Sequence, residues 1–157
     1  MKNFIIEQSD KDIFTAHSGL ALVGLCVNKY TSLAATLVRS CGNAGRISNL
    51  DVLKSYLGLL CLGKSDFDAI TGRRHDEFFR HALGLEAVPS SETMRQRMDD
   101  KAVLFREAVN KGVVELLKNS GVQISSLDTG HIPLDIDVFP MDNSGTKKEG
   151  VSWTYHN

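Results

Sequence analysis

Apolar residues recur at intervals of three and four through residues 17–119, and at intervals of two over residues 134–138. The first spacing lines one face of a helix; the second alternates side chains across a strand. Residues 17–29 read as a first helix, weakened by Gly19 and Gly24, since glycine inside a helix costs about 1 kcal/mol against alanine. Residues 32–39 read as a second, short helix with Leu33, Leu37 and Val38 on its buried stripe. The run Cys41-Gly42-Asn43-Ala44-Gly45 breaks it. Ser48-Asn49-Leu50-Asp51 is a helix start: a serine oxygen meets the free N–H groups, and an acid sits near the positive end. Leu50, Leu53, Leu57, Leu60 and Cys61 follow at helical spacing and make the clearest core helix, which Gly63 ends.

Ser65-Asp66-Phe67-Asp68 starts a short helix that stops near Gly72, with Asp66 and Asp68 read as capping acids rather than metal ligands. Arg73-Arg74-His75-Asp76 opens the next helix, with Phe78, Phe79, Ala82 and Leu83 buried and Gly84 closing it. Pro89 and Ser90 start another, anchored by Met94 and Met98. Asp99-Asp100 is expected to cap a long helix that runs to Asn119, with Ala102, Phe105, Val109, Val113, Leu116 and Leu117 as its buried stripe. Asn119-Ser120-Gly121 is a standard stop.

The remainder has a different texture. Residues 122–131 are mixed and turn-rich, with residues 123–127 a candidate extended segment. In Leu134-Asp135-Ile136-Asp137-Val138-Phe139-Pro140, a strand would bury Leu134, Ile136 and Val138 and place Asp135, Asp137 and Phe139 on the other face. Two neighbouring carboxylates suit a hard divalent cation, although any half-buried strand alternates in this way. Asp142-Asn143-Ser144-Gly145 is a turn by composition, and residues 151–155 are a candidate partner strand. A two-stranded sheet is marginal and exposes an edge. At the other end of the chain, Phe4-Ile5-Ile6 reads as a short extended arm.

Leu134-Asp135-Ile136-Asp137-Val138, followed by the run from Asp142 through Gly145, Lys147, Lys148 and Gly150 to Ser152 and then Thr154-Tyr155, resembles the start of the catalytic domain of bacterial insertion-sequence transposases of the DDE type. The resemblance implies a ribonuclease-H-like domain whose first triad aspartate maps onto Asp137, with Asp135 the alternative. It departs from the family at Phe139, where members often have threonine, and at Trp153, where they often have a basic residue. A second Asp and a Glu are implied further along than Asn157, so the chain reads as the front portion of such an enzyme. In the full-length family two divalent ions, Mg2+ or Mn2+, serve an in-line displacement. This chain alone is expected to bind them weakly, with strand cleavage and transfer absent or incomplete.

Composition fits a folded chain: 157 residues, 42% hydrophobic and 24% charged. A net charge of −1 advertises no global basic field. Cys26, Cys41 and Cys61 are odd in number, lack ligand spacing and fall in apolar stretches, which suits a reducing cytoplasm without disulfides. Glu7 comes too soon for a signal peptide, and the apolar run 19–27 is too short to span a bilayer, so no membrane is expected. His75 and His81 have no partner at zinc-ligand spacing.

The fold expected is mainly α: a helical module over residues 1–121, then residues 122–157 as an incomplete β hairpin that would begin an α/β ribonuclease-H-like domain. In the resembling transposases a helical DNA-binding module precedes the catalytic domain. The helix beginning near Ser90 is its candidate recognition element, through Ser91, Thr93, Arg95, Gln96 and Arg97, with Arg73, Arg74, Lys147 and Lys148 as candidate phosphate contacts. The link from Leu83 to Ser90 is longer than the 3–4 residues of a usual helix-turn-helix. The partner implied is DNA at the terminal repeats of an insertion sequence. Two other readings stay open: a non-catalytic protein that pairs with full-length transposase or with itself, and a decayed gene remnant.

Overall fold

The computed structural model describes residues 15–42, 45–135 and 145. The chain divides into two compact units, Met1–Val122 and Gln123–Asn157. The described part of the first unit holds α1 (Leu20–Tyr30), α2 (Leu33–Cys41), α3 (Asn49–Cys61), a 3-10 helix (Phe67–Arg73), α4 (Glu77–Ala82), α5 (Ser91–Asp100) and α6 (Ala102–Asn119). The described chain is mainly α.

Local chemistry starts most of these helices. Ser48 Oγ accepts from Asp51 N–H at 2.9 Å, Asp76 Oδ1 from Phe79 N–H at 2.9 Å, and Ser90 Oγ from Thr93 N–H at 3.1 Å. Each such cap is worth about 1 kcal/mol. Residues 17–19 form a turn, so α1 starts three residues later than the apolar pattern suggests. Between Lys64 and Asp76, Asp66 Oδ1 accepts from Asp68 N–H at 3.0 Å and opens the 3-10 helix, which takes in Arg73. Asp99 and Asp100 close α5 instead of capping α6. The break falls at Lys101, whose N–H reaches the Arg97 carbonyl at 3.1 Å, and α6 begins without a side-chain cap.

Leu37, Val52, Leu59, Ile70, Phe79, Leu83, Met94 and Phe105 build the core of the first unit. Two glycines set how closely its helices approach. A Cβ on Gly24 would collide with the Ala82 carbonyl, so α1 meets α4 backbone to backbone. A Cβ on Gly58 would lie 2.5 Å from Leu83 Cδ1 and 2.8 Å from the Phe79 ring, which seats α4 against α3. The glycine that weakens α1 as an isolated helix is therefore required by its packing.

The buried stripe of α6 differs from the one the pattern predicts. Phe105, Ala108 and Gly112 are buried, whereas Val109, Val113 and Leu117 are exposed. The helix docks through Phe105, Ala108 and Gly112, and a Cβ on Gly112 would meet the Thr31 side chain at 4.0 Å, an ordinary contact distance. That seating brings Glu115 onto Ser32, with Oε2 accepting from the backbone N–H at 2.6 Å and Oε1 from the hydroxyl at 2.8 Å.

A lysine lies inside the helical unit. Lys54 is 3% exposed, and its Nζ donates to Asn28 Oδ1 at 2.7 Å and to the Leu83 carbonyl at 3.1 Å. Burial pushes its pKa below the ordinary value, with nearby Asp51 pulling the other way. Asp51, itself 3% exposed, accepts from Glu86 N–H at 3.1 Å through Oδ1. The acid expected to serve the helix end thus ties α3 to the link between α4 and α5.

Residues 123–135 of the second unit form neither helix nor strand. A turn closes there: Leu127 N–H donates to the His131 carbonyl at 2.9 Å and Gly130 N–H to the Leu127 carbonyl at 2.8 Å, with Gly130 at φ +78°. Most of the hairpin expected over residues 134–155 lies outside the described residues. Leu134 and Asp135 are described, and neither is in a strand. Among the described residues no single helix is long and apolar enough to cross a membrane.

Candidate functional site

Helix α5 faces inward through Met94, which is fully buried, and Met98, which is half-buried. Its spacing then places Glu92, Arg95, Gln96 and Asp99 outward, and all four are exposed. Arg95 and Gln96 are the candidate base- or phosphate-reading side chains that reach solvent. Both are held by Glu92: Arg95 Nη1 lies 3.2 Å from Oε2, and Gln96 Nε2 donates to Oε1 at 2.7 Å. Arg95 Nη2 also stands 3.6 Å from Asp68 Oδ1 on the 3-10 helix. These side chains are open to water, so the pairs are weak and screened by salt.

The other candidates on α5 have internal partners. Arg97 Nη1 donates to Asn49 Oδ1 at 2.6 Å, which ties α5 to the first turn of α3. Thr93 belongs to the helix start through its N–H and through Oγ1, 2.9 Å from Ser90 Oγ. Ser91 is half-buried at the first helical position. The five polar residues of this stretch therefore do not act as one set: Arg95 and Gln96 face outward, while Arg97 and Thr93 hold the helix in place.

Arg73 and Arg74 end the 3-10 helix, which packs on α5. Arg73 Nη1 is paired with Asp76 Oδ2 at 2.9 Å, whereas Arg74 is exposed. Burial pushes the Asp76 carboxyl up. The Phe79 N–H, the Arg73 guanidinium and the Phe78 N–H outweigh that and hold its pKa below the ordinary carboxylate range. Arg73 thus supports the start of α4, and Arg74 is the freer phosphate candidate. Arg74, Arg95 and Gln96 are the exposed members of the candidate set here, and Asp68, Glu92 and Asp99 are exposed on the same two helices.

The acidic candidates divide differently. Asp135 is exposed and irregular. Asp137, Lys147 and Lys148 lie outside the described residues. Among the described residues no three His, Cys, Asp or Glu side chains converge as a metal site. The groups described do not by themselves fit a divalent ion.

Pattern reading missed Asn49, Lys54 and Glu115, each of which makes a long-range contact. Lys54 carried a signal, since it follows Leu50 by four residues and occupies a position of the apolar stripe. Comparison of the chain with family models, with curated proteins and with solved structures finds no match.

Proposed function

We propose that this chain carries the DNA-binding helical module of a DDE-type insertion-sequence transposase, followed by the opening of its catalytic domain. The observation that carries the reading is Leu134-Asp135-Ile136-Asp137-Val138 with the Asp142–Ser152 run close behind. The outward set Arg74, Arg95 and Gln96 supports it, since guanidinium and amide groups are the donors that bind phosphates and base edges. Asp137 is the proposed first catalytic carboxylate and Asp135 its alternative. Strand cleavage belongs to an assembly that also supplies the second Asp and the Glu of the triad. These 157 residues alone are expected to bind and not to cut.

Binding to a labelled duplex carrying the element's terminal repeat tests the reading. Affinity should fall steeply between low and physiological salt, because phosphate contacts release counterions. Arg95→Ala and Arg74→Ala should weaken binding, and Asp137→Ala should leave it unchanged. A chain with no affinity for the duplex at low salt would sink the proposal.

A second reading has its own observation. Ile124, Leu127, Ile132 and Leu134 are all exposed, Leu134 at 82%. Apolar surface of this kind suits association with another chain, and full-length transposase is the partner that the resemblance suggests. Co-purification with that enzyme in nuclease-treated extract, by a chain that ignores the duplex, would favour pairing over DNA binding.

A further inference from the structure

With Phe105, Ala108 and Gly112 turned inward, the outer face of α6 is left apolar and uncovered. Val103, Val109, Val113, Val114 and Leu117 are 41–56% exposed. Val109, Val113 and Leu116 also form one wall of an apolar groove of about 430 Å³, with Leu22 of α1 across from them. Leu22 is 63% exposed. Contiguous apolar surface of this kind marks a contact with another molecule.

We propose that this face pairs with the same face of a second copy of the chain, the two α6 helices lying antiparallel about a twofold axis that passes between Gly112 and Val113.

A twofold axis requires a surface that complements itself. The two flanks of the face meet that requirement. Glu107 and Lys118 stand eleven positions apart, which is three helical turns, so they share one flank. Both are exposed, and among the described residues neither makes an ion pair within the chain. Val109 and Leu116 stand seven positions apart, two turns, and share the other flank, where they line the groove. Both pairs have the same midpoint, between Gly112 and Val113.

A twofold axis lying across the helices reverses the order along them and keeps each flank on its own side. Glu107 then meets Lys118 of the second copy, and Val109 meets Leu116 of the second copy, each contact occurring twice. Val113 lies beside the axis, against its own counterpart. A parallel pair would instead set the charged flank of one helix against the apolar flank of the other. The charges thus select the antiparallel arrangement, since charges at a rim fix orientation more than affinity.

The extent of the face sets the strength. A helix of 18 residues is about 27 Å long. One such strip falls short of the roughly 800 Å² per partner of a standard stable interface. Arg106 and Asn110 also reach solvent on this face. The pairing is therefore reversible, with dissociation in the micromolar range.

Sedimentation equilibrium of the full chain over a wide concentration range tests this, without DNA, because the pairing does not depend on the DNA-binding reading. The weight-average mass should rise with concentration towards twice that of the chain. Val113→Asp with Leu117→Asp should weaken association by at least tenfold, with circular dichroism verifying equal helix content. Glu107→Lys alone should weaken it by about fivefold, and Glu107→Lys with Lys118→Glu should restore it. These last variants change only exposed side chains and do not rely on repacking. A monomer at every concentration overturns the proposal, as does a dimer indifferent to the aspartates or a charge swap that restores nothing.

Cross-linking reads the register directly. In a background of Cys26→Ala, Cys41→Ser and Cys61→Ser, Val113→Cys should form an intermolecular disulfide under mild oxidation, since the bond needs Cα atoms within about 7 Å. Val103→Cys should not, because the antiparallel pair sets its two copies roughly 28 Å apart along the helices. A disulfide at position 103 and none at position 113 would overturn the arrangement.

Discussion

Arg97 donates to Asn49 Oδ1 at 2.6 Å, so a half-buried arginine on the candidate recognition helix is tied to the core helix α3. The contact separates two arginines that stand two positions apart. Arg97 should matter for stability, and Arg95 for DNA. Arg97→Ala is expected to cost about 1–2 kcal/mol, since it removes a charge-assisted hydrogen bond and strands a buried amide oxygen. Arg95→Ala is expected to stay within about 0.5 kcal/mol of the parent, because its pairs are exposed. Urea unfolding midpoints measure both. Equal destabilisation would refute this division.

Salt and substitution should separate the DNA contacts in the same way. If Arg74 and Arg95 each neutralise one phosphate, replacing either by alanine reduces the slope of log affinity against log salt by about 1. Arg73→Ala should act mainly through α4, because Arg73 is paired with the Asp76 cap. An unchanged slope in Arg74→Ala and Arg95→Ala would move the interface elsewhere.

Gly24 faces the Ala82 carbonyl at a distance that no side chain fits. Gly24→Ala would improve the intrinsic helix propensity of α1 by about 1 kcal/mol. Forcing α1 from α4 should outweigh that, for a net loss of roughly 1–3 kcal/mol. Thermal unfolding checks the sign, and a stabilised variant would contradict the packing described.

Alkaline stability should report Lys54. Its folded pKa lies below the ordinary 10.5, mainly because burial penalises the charged form. Between the folded value and 10.5 the unfolded chain binds more protons, so stability rises with pH through that window. Below the folded pKa the penalty is complete. Lys54→Met should remove this rise, which unfolding midpoints along an alkaline pH series would resolve.

Acid stability should depend on Glu115 and Asp76. The Ser32 N–H and hydroxyl, helped by Lys111, hold Glu115 below its ordinary 4.5, and Asp76 lies below its ordinary 3.8. Lowered carboxylate pKa values contribute stability that is complete above the ordinary values and lost as pH falls through the folded ones. Glu115→Gln and Asp76→Asn should each make unfolding less steep in pH below about 4.5. If both variants keep the parent's acid profile, neither contact couples to folding.

Helix existence was legible because it is written in short-range chemistry. Ser48, Asp76 and Ser90 start their helices as serine and aspartate do in many sequences, since the N–H groups that they accept from lie three residues away. The candidate site was legible only as a set of residue types. Ser91, Thr93, Arg95, Gln96 and Arg97 look alike as donors in a linear chain, and nothing within ten residues of Arg97 announces that Asn49 will hold it.

The sequence by itself determined where α3, α4 and α5 start, and it contains the acidic motif on which the functional proposal rests. Tertiary structure alone decided which stripe of α6 is buried, which arginine of α5 remains outward, and that Lys54 and Asp51 lie inside the helical unit. The division is physical. Caps and helical periodicity act over three or four residues, whereas burial depends on which neighbour's backbone comes close enough to exclude water. Small residues such as Gly24 and Gly58 control that approach without marking it in an apolar pattern.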